Sequence, residues 1–235
     1  MSANTCCNNN LNYSPTRVHI PVALIPNSLL FFTYLCWVLV VGVALRHINS
    51  KTLHAGFIHI FLGAVVALLL LWRFDVSVTP GLGYHFLGVT VFTLMVGWRL
   101  GIIGVSLATL GVALSQQTDI SAWPLNSMLF GVLPVLVSYT VYRLVSRHLP
   151  RHIFIYIFLC AFFGSMLAAS VSVFAGIGYL VLSGAYSMSY ISETYLPFLP
   201  LYLLPEGLLN GFMTTVFIAL RPAWLSTFDE LTPRG

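Results

Sequence analysis

Charge is what this sequence has least of. Asp, Glu, Lys and Arg make up 7% of its 235 residues, where a soluble domain carries about a quarter. Such a chain cannot cover its surface with charge, and a mean hydropathy of +0.92 says that lipid covers it instead. The basic residues form no block of the kind that tracks phosphates, which argues against a nucleic-acid partner. The formal charge of +4 reads as a matter of membrane topology. Cysteine is also sparse, and its placement gives no disulfide framework. Cys36 and Cys160 lie inside apolar runs and read as small hydrophobes. Cys6 and Cys7 stand side by side in a polar leader, where a soft-metal role is the one option they offer.

Motifs for chemistry are missing too. No GxxxxGK[ST] phosphate loop occurs, so any ATP hydrolysis belongs to another chain. There is no H-E-x-x-H, and His54 and His59 are spaced five apart, which misses the i,i+4 face that a helical zinc pair needs. No intramembrane acid pair or Ser–His arrangement stands out. An enzyme is therefore not expected.

What is present is a succession of apolar runs. A crossing needs about 20 residues, and on that measure spans fall at roughly 24–45, 54–72, 84–98, 101–115, 125–145, 153–182 and 201–220. The expected fold is an all-α integral membrane protein of about seven transmembrane helices. The spans around Arg99 are short, which points to a tight hairpin turning at Gly97 and Gly101. The run 153–182 is long, so it tilts, protrudes, or breaks near Gly176 and Gly178. Gly88, Gly104, Gly111, Gly164, Gly207 and Gly211 recur inside the spans as small residues that let helices approach closely, with Gly207 and Gly211 as a GxxxG pair.

With seven spans, Arg46, Lys51, Arg99, Arg143, Arg147, Arg151, Arg221 and Arg234 fall on one side, and only Arg17 and Arg73 on the other. By the positive-inside rule the N-terminus lies outside and the C-terminus inside. Asp75, Asp119 and Glu193 then sit in outer loops.

This topology sorts the polar residues. His19 precedes the first span in Val18-His19-Ile20-Pro21, and His85 opens the third in Gly81-Leu82-Gly83-Tyr84-His85-Phe86-Leu87-Gly88. Asn126 follows Trp123-Pro124-Leu125, and Glu206 follows Pro205 with Asn210 one turn on. All five lie toward the outer face. Neutral imidazole is a common ligand for late first-row metals, so His19 and His85 are the candidate metal pair. Glu206 is the one acid flanked on both sides by apolar span sequence, and an ionisable group there is a functional candidate by default. The plainer readings stand beside these. A lone boundary histidine is ordinarily interfacial, Glu206 can simply accept hydrogen bonds between helices, and Asn126 fits an N-cap. His59 reads as packing or polar glue, and His47, His148 and His152 as solvated or headgroup-facing.

The His19-Ile20-Pro21 start, the Gly-x-x-x-His85-x-x-Gly element, Leu125-Asn126 and the closing Pro205-Glu206-Gly207-Leu208-Leu209-Asn210 with Arg221-Pro222 resemble the CbiM/NikM family. Members are substrate-binding membrane subunits of energy-coupling-factor transporters for cobalt and nickel. The resemblance implies a CbiM-like transmembrane domain over 18–225 and a cytoplasmic tail over 226–235. It implies import of a divalent metal ion, cobalt or nickel, across a bacterial cytoplasmic membrane. A membrane coupling protein and cytoplasmic ATPases would be partners, with a small accessory membrane subunit in some systems.

In that family the mature chain begins Met-His-Ile. The terminal amine, the second peptide nitrogen and its imidazole bind the ion, and a later histidine completes a near-planar nitrogen set. The resemblance gives His19 the role of the second-residue histidine and His85 that of the later one, with Asn126, Glu206 and Asn210 in support. Four planar nitrogens suit Ni(II) or Cu(II) and accommodate Co(II). Residues 1–17 depart from this pattern, because they tie the amine of residue 18 into a peptide bond. Either Val18 is the true start, read as methionine from a valine codon, or the polar, disordered-looking leader is processed, or it is retained. If retained, the ion is held by His19 and His85 with Glu206 or Cys6 and Cys7. On the first explanation, N-terminal sequencing of the native protein finds His19 as residue two. The same architecture also admits an organic micronutrient, with Tyr84, Phe86 and Trp123 as walls, or a structural subunit with no ligand.

Overall fold

The structure, a computed structural model, describes residues 20, 26–48, 55–73, 75–79, 82–115 and 120–229. His19, the leader with Cys6 and Cys7, Lys51, Asp119 and Arg234 lie outside the described residues. The helices in chain order are α1 (Asn27–Arg46), α2 (Ala55–Leu71), α3 (Val89–Ser115), α4 (Ile120–His148), α5 (Ile153–Leu182) and α6 (Met188–Leu220), followed by short α7 (Ser226–Asp229). α1 and α3 to α6 have the length and apolar composition to cross a membrane, while the apolar stretch of α2, Gly56–Leu71, is shorter. α1 exposes Phe31, Phe32, Leu35 and Leu39, as a helix facing hydrocarbon does.

The two short spans expected around Arg99 are the limbs of α3. Gly97 interrupts the helix at φ 76° and ψ 174°, a backbone region open essentially to glycine. In a straight helix residues 92 and 104 stand about 18 Å apart, yet the Phe92 ring fills the space beside Gly104. Thr93 Oγ1 lies 3.8 Å from where a Cβ on Gly101 would sit. The chain therefore reverses at Gly97. Gly101 does a different job from the expected turn: its bare Cα faces Val135, whose Cγ1 would meet an added Cβ at 3.1 Å.

The first limb, 89–96, is buried at every residue but Val91. It is about 12 Å long, too short for a hydrocarbon core of about 30 Å. Residues 86–88, which lead into it, are non-helical, and Gly88 among them stands at φ +59°. The limb's tip ends where Trp98 meets His47 and Tyr139, with ring centroids 6.4 Å apart in each case. Leu94 O accepts a 2.7 Å hydrogen bond from Thr227 Oγ1 of α7 at the same end. Arg46, Arg99, Arg143, Arg147, Arg151 and Arg221 gather there, on helix ends and turns. The basic residues expected on one side thus share one end, as far as they are described.

α2 and α3 are joined by a two-stranded antiparallel ribbon, β1 (Asp75–Thr79) with β2 (Leu82–His85), where the sequence led us to expect only a loop. The period-2 alternation of Val76, Ser77, Val78 and Thr79 is a strand pattern too short to stand out among long apolar runs.

α4 runs antiparallel to the second limb of α3. Gly131 faces Val105, and Ser127 Oγ lies 3.0 Å from Ser106 Oγ. Within α4, residues Met128–Val132 form a widened π turn, a distortion found frequently at functional sites. A second π segment, Tyr156–Phe163, lies in α5, which is otherwise continuous through Gly176 and Gly178. Of the three outcomes open to this long run, a break at those glycines is the one that does not occur. Gly207 and Gly211 form the expected close contact: added Cβ atoms would meet Met166 Cγ at 2.9 Å and Phe162 Cβ at 3.4 Å.

Candidate functional site

The site is best built from the backbone that has to be satisfied. Non-helical chain at membrane depth exposes N–H and C=O groups that no water can serve. Leu87 and Gly88, between β2 and α3, face that need: both N–H groups and Leu87 O are served by side chains from elsewhere in the fold. Glu206 Oε2 accepts from Leu87 N, and its Oε1 accepts from Gly88 N, both at 2.9 Å. Asn210, one turn on, accepts from Val91 N through Oδ1 at 2.9 Å and donates to Glu206 Oε1 at 2.7 Å. Its Nδ2 also donates to Glu206 O at 2.8 Å. Trp72 Nε1 donates to Leu87 O at 2.8 Å.

Glu206 and Asn210 thus cap the N-terminus of α3 from across the bundle. The helix has no capping residue of its own, since it begins after Gly88. Glu206 is 1% exposed and Asn210 is fully buried. Placed at a helix N-terminus, a carboxylate gains from both the free N–H groups and the helix dipole.

His85 ends β2 and is 5% exposed. Its ring stands edge-on to Trp72 at 5.9 Å and to Phe130 at 5.4 Å between centroids. Below it, Gly88 adopts φ +59°, and a Cβ there would meet Leu71 Cδ2 at 2.9 Å. Above it, Tyr84 stacks on Tyr195 at 4.4 Å, donates to Tyr195 O at 2.8 Å, and receives cover from Tyr202 at 4.9 Å. Burial pushes the Tyr84 hydroxyl up to about 12, so it stays a neutral donor. Tyr195 OH in turn donates to Gly83 O at 3.0 Å.

Asn126 is not an N-cap. It sits inside α4, where Nδ2 donates to Ala122 O at 3.0 Å, and its amide is turned on the backbone of Ile20. Ile20 N donates to Asn126 Oδ1 at 3.0 Å, and Asn126 Nδ2 donates to Ile20 O at 3.3 Å. One side chain thereby imitates a strand partner for one residue, and Ile20 is 1% exposed in the core. Ile20 N is the nitrogen of the His19–Ile20 peptide bond. Phe130, which flanks His85, lies four residues beyond Asn126, about 6 Å of helical rise. The segment that follows His19 and the ring of His85 are therefore anchored one turn apart on α4.

Trp72 and Phe130 had no sequence signal, because aromatics in apolar runs look alike. Among the described residues no group of three His, Cys, Asp or Glu side chains is placed to hold a metal. His47, His148 and His152 are exposed at the basic end, as expected. His59 is exposed rather than packed: it lines a 620 Å³ apolar cavity between α2, the first limb of α3 and α6.

The walls suggested for an organic ligand do not converge. Trp123 Nε1 is committed to Ser106 O at 3.0 Å and Thr109 Oγ1 at 3.1 Å, and its ring meets Trp37 at 4.6 Å. Tyr84 is in the tyrosine stack, Phe86 is exposed, and none of the three lines the apolar cavity.

His85 is thus buried on a segment held by Glu206 and Asn210, and Ile20 is held by Asn126. Residues 19–224 match the model of CbiM, described as the cobalt uptake substrate-specific transmembrane region. The chain belongs to the CbiM family. Its function class is that of the family: a substrate-binding membrane component of cobalt or nickel uptake, and so a transport subunit. No curated protein sequence matches this CbiM chain. Two solved structures share its fold. The crystal structure of a transition metal transporter superposes with TM-score 0.74 at 18% identity, covering 86% of this chain and 93% of that one. That of a truncated transition metal transporter gives TM-score 0.62 at 18% identity, covering 86% and 98%.

Proposed function

We propose that this CbiM chain is the capture subunit of an energy-coupling-factor importer. It takes one Co(II) or Ni(II) ion from outside a bacterial cytoplasmic membrane, with the N-terminus outside and the C-terminus inside. His85 donates one imidazole, and the His19–Ile20 segment supplies the other nitrogens. The observation that carries this reading is the pairing on α4 of Asn126 with Ile20 and of Phe130 with His85, one turn apart. Glu206 and Asn210 do not bind the ion. They fix the segment that presents His85, as outer groups around a metal orient its ligands. Nitrogen ligands in a tight set suit these ions over Mg(II) or Ca(II), which prefer oxygen. A membrane coupling protein and separate ATPases supply the energy, with a small accessory subunit as a further partner.

The test is metal titration of the purified chain by calorimetry, with bound metal and bound organic mass measured on the same sample. Wild type binds one Co(II) or Ni(II). His85→Ala lowers that affinity at least about a hundredfold, beyond the roughly 10–100-fold cost of losing an outer partner, while the metal-free protein, though it loses a buried ring between Trp72 and Phe130, still unfolds cooperatively. Undiminished binding in His85→Ala, or an organic compound in place of metal, rejects the reading.

A further inference from the structure

A cleft at the arginine-rich end has no part in metal capture. It encloses about 530 Å³ against α4 and the turn into α5, and Arg143, Arg147 and Arg151 line it together with Tyr139, Thr140 and Ser146. Arg143 and Arg147 are spaced i,i+4 and so share one face of α4. None of the described lining residues is acidic. Thr140 and Ser146 spend their hydroxyl protons on Leu136 O and Arg143 O, so the donors offered to a ligand are the guanidinium groups and the Tyr139 hydroxyl. Guanidinium forks match phosphate oxygens in pairs, and three adjacent cations repel one another until an anion joins them.

The surroundings select the kind of phosphate. Leu144 lines the cleft and is exposed, and Leu136, two turns up the same helix, is exposed as well. A ligand that fits both parts is anionic at one end and hydrocarbon above it. Basic pockets at this level of membrane proteins take anionic headgroups. We propose that this cleft binds the phosphate of an anionic phospholipid, with an acyl chain lying along Leu144 and Leu136. The buried wall of the cleft is Tyr142, whose hydroxyl donates to Thr227 O, and Thr227 Oγ1 donates to Leu94 O on the limb that carries His85 at its other end. A lipid here braces the inner end of that limb.

The full chain is placed in nanodiscs of equal phosphatidylglycerol and phosphatidylcholine, and the lipid that stays bound on release is identified by native mass spectrometry. Wild type retains phosphatidylglycerol. Each arginine near an anionic group is worth about fivefold in affinity, so Arg143→Gln, Arg147→Gln or Arg151→Gln alone lowers retention about fivefold and the triple variant about a hundredfold. Arg46→Gln with Arg221→Gln removes charge at the same end and leaves retention unchanged. Metal titration of the triple variant, equal to wild type, shows that it is folded; should it misfold, the single variants decide. Equal retention of phosphatidylcholine overturns the proposal, as does an equal loss in the Arg46/Arg221 control. Displacement by millimolar inorganic phosphate assigns the cleft to a free anion instead. Retained lipid in the triple variant, with loss of a co-purifying acidic subunit, assigns it to a protein partner.

Discussion

Glu206 performs inside the bundle what a serine or aspartate does at the start of a surface helix. Its two oxygens serve Leu87 N and Gly88 N, and Asn210 serves Val91 N. Glu206→Gln replaces one acceptor by a donor, so one of those N–H groups faces an N–H. A buried donor without a partner costs about 1–3 kcal/mol. The expected outcome is a lower melting temperature together with about 10–100-fold weaker metal binding. His85→Ala empties a buried place between Trp72 and Phe130 and so also costs stability, but it lowers affinity further than Glu206→Gln does, and the two effects measured side by side separate support from ligation. Asn126→Leu is the third member of the set. It removes both hydrogen bonds to Ile20 while touching no metal, so calorimetry should show affinity falling although His85 is intact. Unchanged affinity in Asn126→Leu would detach the N-terminal segment from the site.

At the scale of elements, the decisive one is α3 with the non-helical residues before it. A single glycine turns it back, and another lets its start press against α2. At Gly97 the backbone lies where an L side chain is strained by about 1–3 kcal/mol, so Gly97→Ala should lower thermal stability by that amount. Nothing lies within 4 Å of an added Cβ there, so the cost is conformational alone. Gly88→Ala meets left-handed backbone strain and the Leu71 side chain together, and its loss of stability should come with weaker metal binding, since His85 is three residues away. The hairpin at Gly97 was legible beforehand because two short apolar runs flanked an arginine. The partition of the first limb into non-helical chain and helix was not, since Phe86 to Val91 reads as continuous apolar sequence in either conformation. The β1–β2 ribbon escaped because its period-2 alternation is too short to stand out between long apolar runs.

At the scale of the whole molecule, two ends differ in chemistry. Every described arginine but Arg73 collects at one, and His85, Tyr84 and the Ile20 clamp lie at the other. The orientation we propose puts the arginine end in the cytoplasm. A fluorescent protein that matures only in the cytoplasm, fused after Gly235, should therefore fluoresce. A cysteine at Ser183, on the opposite end of α5 from Arg151, should react with an impermeant thiol reagent in intact cells while one at Ser146 should not. The reverse pattern would place the metal site on the wrong side for uptake.

Composition alone determined that this chain lives in lipid, because charge at 7% leaves nothing else to cover it. Run lengths located the helices, and the spacing of arginines separated one end from the other. His85, Glu206, Asn126 and Asn210 were visible as costly polar residues in apolar surroundings, since burial penalises such groups whatever the fold. What each one does was decided only by tertiary structure. Glu206 sits more than a hundred residues from the N–H groups it serves, and Asn126 as far from Ile20. A hydrogen bond is set by distance and direction in space, and no local pattern in a sequence records which distant backbone will need a partner.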